Sequence, residues 1–220
     1  MKICYIILTC ELFLPTRAQW QNSTFLQKVD KKDVYFISCK MSGENVYGWD
    51  TPDDYHSCPL KYMLFIRNMN ITDYDWYVFI DDDTYMNTPN LNLFLDNYDS
   101  SQLFYIGSKR FDQWNVKYMS GGAGFCLSKP LYAKLADYVR SKSEYSELYF
   151  NYNGDVTLGS WVSNIPDVIH VDDDKFSASK HNNDEQLNGF ISFHYLKTKE
   201  EFDFYYNVES SQKLIRKSPK

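Results

Sequence analysis

The chain has 220 residues, 44% of them apolar and 18% aromatic, with a formal net charge of -6. That length and composition supply one sizeable hydrophobic core and exclude a disordered chain. The acidic balance excludes a nucleic-acid backbone as the main partner, because such binding needs a basic surface and here only the terminal "KLIRKSPK" clusters positive charge.

In chain order, "MKICYIILTC" has an apolar core too short for a signal peptide and no small-residue cleavage site after it, so it predicts a first β-strand. "DVYFISC" predicts a second strand. "SCPLKYMLFIRNM" then reads as a helix with a proline near its start and Leu60, Leu64 and Arg67 at helical spacing. "DWYVFID" is a fully apolar strand. "TPNLNLFLDNY" offers Thr88 as N-cap and Pro89 at the first helical position. "LFYIGS" and "GFCLS" follow as strands. In "SKPLYAKLADYV", Leu131, Leu135, Tyr138 and Val139 form one apolar stripe of a helix. "NGDVTLGSWVSNI" starts another helix, with Val156, Trp161, Val162 and Ile165 facing inward, and "GFISFHYLK" is a late strand. Residues 172–189 are polar and read as a long surface loop; the chain from about 207 is a tail or terminal helix.

Strands alternating with helices predict an α/β fold: an α/β/α sandwich around a mostly parallel central sheet, in a single domain over residues 1–220. No apolar run approaches a membrane span. Five cysteines without CxxC pairs or zinc-like spacing lean towards a reducing compartment. The expectation is a cytoplasmic or soluble protein, or a secretory-pathway lumen if the chain is an excised domain.

The stretch "DWYVFIDDDTYMN" carries the first chemical signal. Three adjacent carboxylates raise one another's pKa, so Asp81, Asp82 and Asp83 call for a metal, a basic partner or water. A lone acidic triplet is better read as a solvated turn or helix cap. The buried strand before this one shifts the balance, because open α/β sheets bind ligands at the carboxyl ends of their strands. Side-chain alternation sends Asp81 and Asp83 one way and Asp82 the other, a pair suited to a hard divalent cation. A second triplet, Asp172 to Asp174, follows a shorter strand and leads into an all-polar segment, so it reads as a solvated loop.

Three other places bear on function. Gly121, Gly122 and Gly124 precede a strand in "YMSGGAGFCLSKP", where a tight turn and a ligand-facing backbone are both open; neither a Rossmann nor a Walker pattern is present. Asp155 begins a helix, so a dipole-complementing cap is the favoured reading on the residues alone, with a general base as the alternative. His194 lies among aromatics and becomes a metal ligand only if folding brings it to Asp83.

Taken in order, "DWYVFIDDDTYMN", "YIGSKR", "YMSGGAGFCLSK", "GDVTLGSW" and "ISFHYLK" resemble the Fringe and core-1 β1,3-galactosyltransferase family of glycosyltransferases. "TRAQW", with Trp20, and "CPLKYM", with Lys61, also sit where that family has a tryptophan and a lysine. The resemblance implies a GT-A fold, a nucleotide-sugar donor (usually a UDP-sugar), a glycan or glycoprotein acceptor, manganese or else magnesium, and inversion at the anomeric carbon. It implies Asp83 and His194 as metal ligands, with Asp81 and Asp82 supporting metal, ribose or sugar. Asp155 would be the base, and Gly121 and Gly122 would line the sugar pocket. Thr9 and Arg17 would be nucleotide contacts. Gly154 stands where the family usually has a second acidic residue. Two rivals remain: a metal-dependent nucleotidyltransferase or phosphohydrolase, and a non-catalytic calcium-dependent glycan-binding module.

Overall fold

A computed structural model describes residues 1–181, 187 and 189–217, with side chains described to residue 211. In chain order the elements are β1 (Ile3–Leu8), α1 (Arg17–Asn22), β2 (Val34–Ile37), β3 (Val46–Tyr47), α2 (Cys58–Asn68), β4 (Trp76–Asp81), β5 (Tyr85–Met86), α3 (Thr88–Leu95), β6 (Phe104–Gly107), β7 (Lys109–Phe111), β8 (Lys117–Met119), β9 (Phe125–Ser128), α4 (Lys129–Ser141), α5 (Gly154–Val162), β10 (Ile169–Asp172), β11 (Ser192–Phe193) and α6 (Lys199–Lys217).

Seven strands form the central sheet in the order β10-β6-β9-β4-β1-β2-β3. It is mostly parallel; only β9 runs antiparallel, to both β4 and β6. Both faces are covered, which is why its strands read as continuous apolar runs. The period of two divides β4 between the faces. Trp76, Val78 and Ile80 pack with Ala18 of α1, Leu91 and Leu95 of α3 and Phe202 of α6. Tyr77 and Phe79 pack with Tyr62 and Phe65 of α2, Leu131 and Leu135 of α4 and Trp161 of α5. The result is the expected α/β/α layering.

Several local expectations are corrected. Asn87, not Thr88, caps α3, because its side-chain oxygen reaches the backbone N–H of Asn90 at 3.0 Å. The helix α2 is present as expected, with Tyr62, Phe65 and Ile66 on its buried face and Leu60 and Leu64, at their helical spacing, half-buried beside it. Tyr138 is likewise marginal on α4, where Tyr132 and Ala136 complete the buried stripe. The 172–189 stretch is not simply a surface loop: Asp172 ends β10, and Phe176 and Leu187 are core residues. Residues 182–186 and 188 of that stretch lie outside the described residues. From Lys199 the chain is the terminal helix α6.

β1 and β4 pair in register with Leu8 opposite Asp81. The segment after β1 and the acidic triplet therefore emerge side by side at the carboxyl edge of the sheet. Antiparallel pairing of β11 with β5, Phe193 opposite Tyr85, brings His194 to the same edge. Among the described residues, no helix is long and apolar enough to cross a membrane.

Candidate active site

β4 ends at Asp81, and the chain turns at once: the Thr84 N–H donates to the Asp81 carbonyl at 3.2 Å. Gln21 of α1, fully buried, clamps this turn by donating from Nε2 to the carbonyls of Asp81 (3.0 Å) and Thr84 (2.9 Å). Within the turn the three carboxylates part company. Asp82 accepts from the Thr9 hydroxyl at 2.7 Å and from Arg17 at 3.1 Å. Asp83 faces His194, whose Nε2 lies 3.0 Å from Oδ1, and is also bonded by the Lys197 ammonium. Arg17 lies 3.8 Å from its other side. Asp81 shares the Asp83 side, as the period of two predicts, although the turn rather than a continued strand holds Asp83 there.

The surroundings separate these acids electrostatically. Burial raises the Asp81 pKa well above the ordinary carboxylate range, and the charges of Asp83, Asp155 and Asp82 push it further. Among the described residues, no donor bonds its carboxylate. Burial also raises Asp82, against the bonds from Thr9 and Arg17. At Asp83 burial is outweighed by the bonds and charges of His194 and Lys197, which bring its pKa down to about 2. One ligand atom each from Asp81, Asp83 and His194 can be chosen so that all lie within 4.8 Å of one another. Two carboxylates and one imidazole, with one carboxylate bonded by no donor among the described residues, are a donor set that fits a divalent cation. A second acidic group, Glu11, Cys39 and Asp53, fits less well. Lys40 neutralises Glu11 and the buried Lys61 neutralises Asp53.

The glycine stretch supplies the opposite wall. The Gly121 N–H donates to Asp155 Oδ2 at 2.9 Å, and the Thr84 hydroxyl donates to the Gly122 carbonyl at 2.7 Å. One short backbone segment thus links the acidic turn to the start of α5. A Cβ at Gly122 would sit 2.1 Å from Cε1 of His194, so the ring occupies the space a side chain would need. Asp155 is not an N-cap, a position held by Asn153; it lies in the first turn of α5. Burial raises its pKa, and the N–H groups of Gly121 and Val156 offset part of that rise. A Cβ at Gly154 would meet the Tyr62 ring at 2.8 Å. Any side chain there would have to displace that buried ring.

Thr9, Arg17, Asp81, Asp82, Asp83 and His194 all line one cleft of about 520 Å³. Asp155, Gly121 and Gly122 are not among the residues lining it: Gly122 backs onto the lining residue His194, and Asp155 is tied to Gly121 behind it. A larger hollow of about 860 Å³, between Ala18, Leu26, Phe36 and Val46, lacks any comparable acid cluster. Gln21 and Tyr55 belong to the site but carry no sequence signal beyond proximity to a motif. Lys197, which pairs with Asp83, ends the "ISFHYLK" stretch three residues after His194. Trp20 is structural, packing 6.1 Å from Phe202. Lys61 donates to the Thr9 carbonyl at 3.1 Å and so braces the cleft from below.

The model of a family described as Fringe-like matches residues 6–211. Over 60 residues, 27% of this chain and 16% of the relative, the chain is 43% identical to the glycoprotein-N-acetylgalactosamine 3-beta-galactosyltransferase 1 of Xenopus laevis. Over 76 residues it is 34% identical to the beta-1,3-N-acetylglucosaminyltransferase lunatic fringe of Danio rerio, covering 28% of this chain and 20% of that protein. The matched stretches thus span a fifth or less of these relatives. The solved structure of a glycosyltransferase involved in glycosylation of the major capsid of PBCV-1 shares the fold. It has a TM-score of 0.50 at 15% identity and covers 92% of this chain and 99% of that one. With the parallel sheet and its antiparallel β9, this is the GT-A fold. The chain belongs to the Fringe-like family.

Proposed function

We propose that the chain is an inverting, metal-dependent glycosyltransferase, acting as one catalytic domain, that moves a sugar from a UDP-sugar to a hydroxyl of a glycan or glycoprotein. The observation that carries this reading is the meeting of Asp81, Asp83 and His194 at the carboxyl edge of the sheet, with Asp155 linked to them through Gly121 and Gly122.

Asp83, His194 and Asp81 would hold the cation, and the mixed oxygen and nitrogen set suits manganese, with magnesium as the alternative. A cation bound there supplies positive charge against the diphosphate leaving group. Arg17 and Lys197, both on the Asp83 carboxylate, add fixed positive charge to the same edge. Thr9 and Asp82 orient Arg17 towards the nucleotide. Gly121 and Gly122 leave backbone, not side chain, facing the transferred sugar. Asp155 accepts the proton of the acceptor hydroxyl; that oxygen bonds to the anomeric carbon as the bond to the diphosphate oxygen breaks. Its two bonds from backbone N–H groups fix the carboxylate for this role, and burial raises its basicity.

The test is release of UDP from a panel of UDP-sugars, with and without a glycan acceptor, in manganese and then in excess EDTA. Turnover that ignores EDTA would remove the metal. Consumption of nucleoside triphosphates without sugar transfer would favour a nucleotidyltransferase, and calcium-dependent glycan binding without nucleotide would favour a lectin-like module.

A further inference from the structure

Beside the start of α5 lies a second groove, of about 430 Å³, that the reaction scheme does not use. One wall is the hairpin of β7 and β8, whose turn carries Trp114 with 60% of its surface exposed. The other wall is the segment before α5, which exposes Tyr149, Phe150 and Tyr152. Trp114 and Phe150 meet edge to face at 5.7 Å, forming an open aromatic corner. Leaving several large rings in water is unfavourable, and a clustered exposed set marks a binding surface.

Both walls are tied by side-chain to backbone hydrogen bonds. In the hairpin turn, Asp112 Oδ1 accepts from the N–H groups of Trp114 (3.0 Å) and Val116 (2.7 Å). In the other wall, the Thr157 hydroxyl of α5 donates to the Asn151 carbonyl at 2.6 Å and accepts from the Asn151 N–H at 2.9 Å. The aromatic wall is therefore tied to the helix that carries Asp155. The groove neighbours the cleft, the two being separate cavities joined by one aromatic contact. Tyr152 packs 6.2 Å from Tyr55, and Tyr55 lines the cleft with Asp81 and Asp83.

The lining chemistry selects the occupant. Among the described residues, Asp112 is the only charged side chain lining this groove, and a carboxylate repels a diphosphate. Asp112 Oδ2 is buried without a hydrogen-bond donor among the described residues. Gln113 and Asn153 add amide donors and acceptors. A pyranose ring presents a face of weakly positive C–H groups and an edge of hydroxyls. The C–H face complements the negative face of an aromatic ring, and the hydroxyls suit the amides of Gln113 and Asn153.

We propose that this groove binds the sugar next to the one that receives the transferred unit, so that the acceptor is an oligosaccharide of at least two rings. The inner ring stacks in the Trp114 and Phe150 corner, and the outer ring passes Tyr152 to present its hydroxyl to Asp155. This inference rests on the glycosyltransferase reading.

The test uses the full chain with UDP and manganese on a printed array. The array carries galactose, glucose, N-acetylglucosamine, xylose and rhamnose, each as monosaccharide, disaccharide and trisaccharide. At least one disaccharide or trisaccharide should be retained about tenfold more than its terminal monosaccharide, and Trp114→Ala should lower that retention by about tenfold, as truncation of a central aromatic anchor does. Trp114→Phe should restore most of it, and an unchanged melting temperature in Trp114→Ala excludes misfolding. Equal retention of monosaccharides, retention indifferent to Trp114→Ala, or no retained glycan would each overturn the subsite. Turnover of UDP-sugars by the unaltered chain reports separately on the glycosyltransferase reading: turnover without glycan retention removes the subsite alone.

Discussion

The imidazole of His194 fills the space that a Cβ at Gly122 would occupy, 2.1 Å from its Cε1. A glycine in a loop and a histidine after a strand, 72 positions apart in the chain, are thus one structural unit. Any side chain at 122 displaces the ring from Asp83. Gly122→Ala is expected to weaken manganese binding by roughly 10–100-fold, the range seen when the groups that orient metal ligands are altered. Manganese titration in the presence of UDP, followed by thermal shift, measures it. Wild-type affinity would show that His194 is not a ligand.

Removing Asp83 tests the cation more directly. Asp83→Ala leaves Lys197 and Arg17 without their shared carboxylate and the proposed cation without an anchor. UDP-sugar turnover is expected to fall by at least about 100-fold, the scale of losing charge stabilisation at a leaving group. EDTA should reproduce that loss in the unaltered chain, and added manganese should reverse it.

Asp155 gives the pH dependence. A base acts in its ionised form, and burial raises the pKa of this carboxyl despite the N–H bonds from Gly121 and Val156. Transfer should therefore rise with pH through that raised value, with its acid limb above the ordinary carboxylate range. Asp155→Asn should lose about 10²–10⁴-fold in kcat while still binding UDP and manganese, as expected for removal of a general base. Normal turnover in that variant would assign Asp155 a structural role only.

The clamp on the acidic turn can be probed through stability. Gln21→Leu keeps the bulk but strips two hydrogen bonds from buried carbonyls. A loss of about 1–3 kcal/mol is expected, and in a chain of this size each kcal/mol lowers Tm by about 2–4 °C. A Tm within a degree of the unaltered chain would show that water replaces the amide.

Much of the fold was legible because it is local. Continuous apolar runs placed β1, β4, β6 and β9, and of the inward set Val156, Trp161 and Val162 of α5 and Ile165 just beyond its end are all buried as expected. Capping was less legible: Thr88 and Asn87 are both competent caps, and only the helix's final phase chose Asn87. The 172–189 stretch looked polar, yet single apolar residues such as Phe176 reach the core, which a compositional average conceals.

The sequence by itself determined that a buried strand ends in three aspartates, that a glycine cluster precedes another strand, and that Asp155 starts a helix. These are properties of neighbours along the chain, set by backbone period and side-chain chemistry. Only the tertiary structure decided which of these acids meet. It turned Asp82 to Thr9 and Arg17, joined Asp83 to His194 and Lys197, and fitted Gly122 beneath the ring. It also packed Gly154 against Tyr62, whose buried ring any side chain there would have to displace. Such pairings depend on sheet register and on ångström-scale free space, and residues tens of positions apart carry no local pattern that encodes either.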